Sequence, residues 1–541
     1  MTWENLGTTH RPTVMGTHGM VASAHPLASL AGLRILMQGG NAIDAAIATA
    51  AALNVVEPFM SGLGGGGTML IHQAGGETVT LHYGGGVPEA GNPTTLDAQS
   101  VDIGPRAGTV PGAPAGWLAA LGRYGSMDAA TVFGPAIEYA EQGFALTVKG
   151  SAFFSMGVPR LTDAAKAIYA PSGAPPRSAT RLRNQQLAET FRTLARDGAE
   201  CFYDGPLGKR FLDAVQAAGG ILSAADFARP QVSEFAPVCG SYRGFEVRST
   251  GWPLTSYEIL LTLNILEGFD IGAMPEGGVD RTHTFLETLK LAMTDRVQYS
   301  GRPEPPPPGL LSKAYAEQRR ALIDQSRATP FGGERYTANL PAGGYTPGDP
   351  TPFLREQTTH FDVVDAAGNA VSVTQSLGGV FGSGFLAGDT GILLNNFLFF
   401  FDLDPASPNV INGDGRSLPG PLSPTMLFKD GKLFLSIGTP GAFGIPQTTS
   451  QMISYVVDHG YGVQAAIEAP RFRVLADRTI LMENRFDAEV RAELAKRGHE
   501  IQLLSAYDWA FGGGHGILVD PETGALSGGA DPRRDGYAMG W

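Results

Sequence analysis

Cysteine is nearly missing from this chain: of 541 residues only Cys201 and Cys239 carry a thiol. They form no C-x-x-C pair and have no histidines at metal-ligand spacing, so a disulfide-stapled scaffold and a cysteine-based metal centre are excluded. Nothing in their spacing argues for a disulfide either. Positive charge is also short, with 39 Lys and Arg against 52 Asp and Glu and a formal charge of −13. That balance disfavours non-specific binding to nucleic acid or to an anionic membrane surface. The longest apolar tract, Ala42 to Val56, is interrupted by Asp44 and Asn54 and is too short to span a bilayer. Met1 to Met20 shows no basic segment followed by an apolar core, so the expectation is a chain without a secretory signal, located in the cytoplasm. There is no G-x-S-x-G elbow and no internal repeat. Gly62 to Gly67 formally contains G-x-G-x-x-G, but Thr68-Met69-Leu70-Ile71-His72 follows as a strand where a dinucleotide site needs a helix, and no Lys-Ser/Thr pair supports a phosphate loop. No cofactor and no metal are expected.

Other features are abundant. Apolar residues make up 43 % and charged residues 17 %, with 73 Gly and 38 Pro, which describes a globular chain with a large core and many turns. Length alone gives a soft prior of two to four domains. Pro26 to Met37 reads as a helix stopped by Gly39-Gly40, and Asn41 caps a second, alanine-rich helix whose small side chains favour close packing. From Leu118 to Glu287 helical periodicity dominates, as in Ala129 to Gln142 and Asn184 to Asp197, which predicts a helical layer. Pro303 to Pro308 reads as an exposed spacer, and Gly332 to Pro352 as a flexible segment. Beyond it strands take over: Thr358 to Asp365, a turn at Ala366-Ala367-Gly368-Asn369, then Val371 to Ser376, and a second hairpin from Leu427 to Ile437 around Gly431. Helices follow at Pro446 to Tyr455, Val463 to Ala469 and Asp487 to Lys496. The order of strands and helices predicts an α/β fold with two sheets sandwiched between helical layers.

Thr358 stands at the head of the first hairpin, after the flexible segment. A threonine hydroxyl is a poor nucleophile at neutral pH unless a base lies beside it, and the residue's own α-amine can be that base. Here that would require cleavage of the Gln357–Thr358 bond. The alternative is an ordinary β-branched strand residue.

The run Thr358-Thr359-His360 through Val364-Asp365, then Gly368-Asn369-Ala370-Val371, closely resembles the start of the small subunit of γ-glutamyltranspeptidases, a family of N-terminal-nucleophile (Ntn) hydrolases. Further segments resemble the family in order: Gly39-Gly40-Asn41, Gly62 to Gly67, Val110-Pro111-Gly112, Asp295-Arg296, Gly391 to Asn396, Leu422 to Thr425, Pro440-Gly441, Ala469 to Phe472 and Ala530 to Arg533. The resemblance implies a four-layer αββα sandwich, made from a large subunit (1–357) and a small subunit (358–541) that intertwine after self-cleavage. It implies Thr358 as the nucleophile, attacking the Gln357 carbonyl and passing through an ester by an N-to-O shift. Thr374 and Ser376 then fall where hydroxyls assist processing and bond the nucleophile. Gly441 and Ala442 fall on the oxyanion loop, where the family usually has Gly-Gly and where Ala still supplies an amide donor.

At the substrate pocket the chain departs from the family. The position of the arginine that grips a glutamyl α-carboxylate reads Gly84, the assisting serine pair reads Gly420-Pro421, and the groups that hold the amine read Phe397, Phe400 and Gly378. Phe397 to Phe401 would instead form an aromatic wall, or, if they lie on a strand, alternate between pocket and core. The expectation is an autocatalytically processed amidohydrolase or acyltransferase that cleaves a small non-glutamyl acyl amide of oxamate or acylase type. The alternatives are a true γ-glutamyl hydrolase anchored by Arg106 or Arg416, and a non-catalytic binding descendant. The implied partners are a small-molecule amide and the two subunits of one precursor, with no nucleic acid and no membrane; the oligomeric state, a homo-oligomer included, stays open.

Overall fold

The computed structural model describes residues 9–229, 231–302, 304–333, 341–345, 356–418 and 420–541 of the unprocessed chain. Most of the segment expected to be flexible, 332–352, lies outside the described residues, as do the side chains of Glu356 and Gln357.

Period-two burial builds the centre of the molecule. In the strand Glu356–Asp365, Phe361 and Val363 join a core with helices, whereas Val364 joins a separate core between two sheets. A one-residue slip would exchange the two faces, so this register is tightly specified. The hairpin is the expected one: Glu356–Asp365 pairs antiparallel with Ala370–Gly379, with a bulge at Thr358. One seven-stranded sheet runs Tyr537–Gly540, Gly19–Ser23, Glu356–Asp365, Ala370–Gly379, Gly66–His72, Thr78–His82, Ser233–Phe235. The other runs Val14–Gly16, Leu526–Ala530, His515–Val519, Lys432–Gly438, Thr425–Lys429, Phe245–Ser249, Val238–Tyr242. Each sheet draws strands from both sides of Thr358, so cleavage there would leave two chains that share both sheets.

The sheets meet through Met20, Leu70, Val364, Ala370, Met426, Phe428, Ile517 and Leu526. The outer face of the first is covered by Pro26–Met37, Ala42–Val56 and further helices, through Met69, Ile71, Phe361, Val371 and Val373. The outer face of the second is covered by Tyr257–Leu266, Val279–Tyr299 and Gly444–His459, through Val247, Leu427, Leu435 and Ile437. The order of layers is therefore αββα. The asparagine cap is present as a full capping box: the Asn41 side chain accepts from the amides of Ile43 and Asp44, and Asp44 accepts from the Asn41 amide.

Two expectations are corrected. The stretch 118–287 is not purely a helical layer, because it contributes Ser233–Phe235, Val238–Tyr242 and Phe245–Ser249 to the sheets. The first two are edge strands with half-exposed, Gly- and Ser-containing sequences, which weakens their alternation. Phe397–Phe400 is a 3-10 turn and not a strand, so alternation does not divide its side chains.

Candidate active site

The inter-sheet layer is apolar at one end and polar at the other. At the polar end Thr358 is 2 % exposed, and its Oγ1 donates to Ser376 Oγ at 3.4 Å. Ser376 Oγ in turn accepts the amide of Gly378 at 2.8 Å. Ser376 opposes Gly66 on the next strand. A Cβ at the adjacent Gly65 would stand 2.0 Å from the Ser376 carbonyl oxygen, so the glycine run serves close backbone approach to this strand.

Thr374 is turned to a different partner. His360 Nδ1 lies 2.9 Å from Thr374 Oγ1, and its Nε2 lies 2.9 Å from Asp362 Oδ2. His360 thus bridges the Thr374 hydroxyl and the Asp362 carboxylate through its two ring nitrogens. Ser436 donates to the other oxygen of Asp362. His515 stacks on His360 with centroids 6.3 Å apart, and burial, then the neighbouring His360, holds it well below the usual histidine range.

The other side of Thr358 is ionic. Arg534 Nη1 donates to the Thr358 carbonyl oxygen at 2.9 Å, and Thr359 Oγ1 donates to Glu57 Oε2 at 3.2 Å. Burial pushes the Glu57 carboxyl up to about 8 against the opposing pull of Arg534, and burial lowers Arg534 to about 10. These residues escaped the sequence reading. The terminal motif was read only as far as Arg533, one residue short of Arg534, and Glu57 is merely the polar end of an apolar helix.

Gly441 and Ala442 lead into the helix Gly444–His459 with φ of 130° and 49°. Among the described groups neither amide has an acceptor, whereas both carbonyls are used, by the amides of Gly444 and Ile445. A contact path joins this loop to Thr358. Gly441 faces Gly512, the Gly513 amide donates to Thr439 Oγ1 at 3.0 Å, and Gly513 packs on the Arg534 side chain. The Ala442 side chain packs in one apolar cluster with Phe397, Phe400, Val87 and Leu418.

The remaining pocket positions are filled by other groups. A Cβ at Gly84 would stand 2.6 Å from both Ser417 Oγ and His82 Cε1, and His82 Nε2 pairs with Ser417 Oγ at 2.7 Å. Burial lowers His82 to about 4. Gly378 has φ of 98°, and a side chain there would collide with Asn396 Oδ1, which accepts the Gly379 amide at 2.7 Å. Gly420 and Pro421 are buried and present carbonyls to the Thr255 amide and the Ser423 hydroxyl. Arg416 is committed to the carbonyls of Gly301, Pro408 and Val410, and Arg106 to that of Thr95. Arg416 is thus engaged on three carbonyls and Arg106 on one.

Cys201 is buried, Cys239 is exposed, and both are free thiols. Among the described residues one cluster, His283, Glu287 and His499, has metal-ligand spacing. Its carboxylate already accepts from Lys290 at 2.7 Å and from the Tyr345 hydroxyl and Thr329 amide at 3.0 Å, and the two histidines bond each other at 2.8 Å. The cluster is a buried hydrogen-bonded network that ties the helix Val279–Tyr299 to its neighbours, with His499 Nδ1 left without a partner among the described residues. Among the described residues no helix is long and apolar enough to cross a membrane.

The family model described as Gamma-glutamyltranspeptidase matches residues 28–541. An Acylase ACY 1 proenzyme of Pseudomonas sp. (strain SE83) is 36 % identical over 98 % of this chain and 94 % of its own. A glutathione hydrolase proenzyme of Bacillus subtilis (strain 168) is 34 % identical over 97 % of this chain and 92 % of its own. The crystal structure of cephalosporin acylase from Bacillus halodurans superposes with a TM-score of 0.88 at 32 % identity, over 99 % of this chain and 98 % of that one.

Proposed function

Because the chain belongs to the γ-glutamyltranspeptidase family of Ntn hydrolases, we propose that it cuts itself at Gln357–Thr358 and then uses Thr358 to cleave a small, non-glutamyl acyl amide. Membership makes it a hydrolase made as a proenzyme. Overall identity does not choose the substrate, since an acylase and a glutathione hydrolase resemble it almost equally.

One observation carries the substrate reading: the His82–Ser417 pair fills the space into which a side chain at position 84 would grow. A glutamyl α-carboxylate would find there a neutral imidazole and a hydroxyl where an ion pair is needed. Burying an unpaired carboxylate costs several kcal/mol, and each 1.4 kcal/mol or so is tenfold in rate. Next to it, Phe397 and Phe400 pack with Ala442 and narrow the space for an acyl group. A small planar acyl group satisfies both constraints.

In the proposed mechanism the Thr358 α-amine, freed by cleavage, takes the Oγ proton as Oγ attacks the amide carbon. The two acceptorless amides of Gly441 and Ala442 meet the developing oxyanion. The amine returns the proton to the leaving nitrogen, and water or an acceptor amine then releases the acyl group. Ser376 orients Oγ, and Thr374, held by His360, assists the earlier cleavage. The test is a substrate panel from γ-glutamyl anilide and glutathione to oxamate, glutaryl amides and cephalosporin-type amides. Glutathione should be turned over at least about a hundredfold less efficiently than the best small acyl amide. Glutathione as the preferred substrate contradicts the reading.

A further inference from the structure

Thr358 is held by the Ser376 hydroxyl on one side and by a cation on the other. Arg534 is 1 % exposed, with Nη1 on the Thr358 carbonyl and near Met60 Sδ at 3.3 Å. The carboxyl groups that act on it are those of Glu57 and Asp531. Asp531 is committed elsewhere, pairing with Arg471 at 2.8 Å and Arg533 at 3.2 Å. Glu57 is buried at the end of Ala42–Val56, and burial pushes its carboxyl up to about 8, which favours its protonated form at neutral pH. The other groups around the site have partners of their own, including Asp535, which helps hold the Glu57 carboxyl up. His360 pairs with Asp362 on the same strand, His515 on the facing sheet is neutral, and Asp535 accepts the Thr147 hydroxyl and feels Lys149. Of these charged groups, Arg534 is the one in direct contact with Thr358.

We propose that Arg534 is a positioning residue whose charge keeps the α-amine exposed by cleavage at Thr358 unprotonated at neutral pH, so that it can accept the hydroxyl proton. The inference rests on the reading of Thr358 as the new N-terminus. Covalent geometry places the nitrogen of a residue within about 3.6 Å of its own carbonyl oxygen, so Nη1 lies within about 6.5 Å of the Thr358 nitrogen. A unit charge at that distance, in an effective dielectric of about 20, lowers an amine by about one to two pH units. An ordinary α-amine titrates at about 7.7 to 8.0, and the shift moves it below neutrality. The same hydrogen bond fixes the Thr358 peptide, so that amine, Oγ1 and Ser376 stay in register.

The experiment uses the full chain as wild type, Arg534→Lys, Arg534→Met and Glu57→Gln. Intact mass and N-terminal sequencing first establish cleavage, and the pH dependence of kcat/KM is then followed on the best amide of the panel. The acidic limb reports the base in the free enzyme. Arg534→Met should move it up by about one pH unit, while Arg534→Lys stays near wild type; a cleaved Arg534→Met with the wild-type limb overturns the inference. Should Arg534→Met not be cleaved, Glu57→Gln decides. A neutral Glu57 predicts an unmoved limb, and a limb lowered by about one unit would show an ionised Glu57 cancelling the arginine, which contradicts the inference. A wild type that is never cleaved refutes the nucleophile reading itself, and is told apart by the mass measurement alone.

Discussion

The two ends of the inter-sheet layer are built on the same strands and do opposite things. At one end Val364, Ala370, Leu70 and Met426 exclude water and hold the sheets together. At the other, a few residues along those strands, Thr358, His360, Asp362, Thr374 and Ser376 occupy equivalent inward positions with polar groups. Period two decides only which face a side chain takes; residue type decides whether the interface is an apolar core or a hydrogen-bonded polar site. Buried hydroxyls, imidazoles and carboxyls give up hydration for hydrogen bonds, which offset that cost incompletely. The apolar end supplies the stability that lets the polar end persist.

The largest expected effect tests the division at the polar end. Thr358→Ala should lower kcat/KM by roughly 10⁴-fold or more while leaving the folded state intact, because in the proposed mechanism its hydroxyl serves chemistry more than packing. Loss of thermal stability together with activity would erase the distinction. At the apolar end Met426→Ala, which empties a fully buried site, should cost about 2–5 kcal/mol in denaturant unfolding and leave kcat/KM of the folded enzyme unchanged. A selective loss of activity there would show that the two ends are coupled.

Glu57 sharpens the comparison through pH. Its folded pKa is raised, so the stability tied to its protonated form is full below about 4.5 and is lost as pH rises toward about 8. Glu57→Gln removes that loss. Its unfolding free energy should match wild type near pH 4.5 and exceed it by about 1–3 kcal/mol at pH 7. A gap that closes as pH rises would reverse the assignment. The smallest effect is expected at Ala442, a non-glycine residue at φ of 49°. Ala442→Gly relieves left-handed strain of about 1 kcal/mol but gains chain entropy on unfolding, so unfolding should change by less than about 1 kcal/mol. Because the methyl group packs with Phe397 and Phe400, KM for larger acyl groups should fall in the same variant.

Regular elements were legible where local signals agreed. Ala129–Gln142 and the helix after the Asn184 cap appear with the expected bounds, and the alanine-rich helix starts at its expected Asn41 cap. The strands near residue 240 were not legible, because edge strands exposed on alternate sides lose their pattern to Gly and Ser. At the site, the family resemblance set Ser376 beside Thr358, and the antiparallel hairpin brings the start of one strand against the end of the other. Arg534 and Glu57 could not be placed there, because their tie to Thr358 spans 176 residues in one case and passes through Thr359, 302 residues away, in the other. His82 and Ser417 are separated by 335 residues, and only the folded chain shows them closing the space at Gly84.

The central claim is that this chain makes its own catalytic N-terminus. Freshly purified wild type and Thr358→Ala, analysed by intact mass spectrometry under denaturing conditions, test it most directly. The account predicts wild type as two chains, residues 1–357 and 358–541, the second beginning with unmodified Thr358, and the variant as one uncut chain. A soluble, folded wild type that remains a single 541-residue chain, or that is cut at another bond, would contradict it.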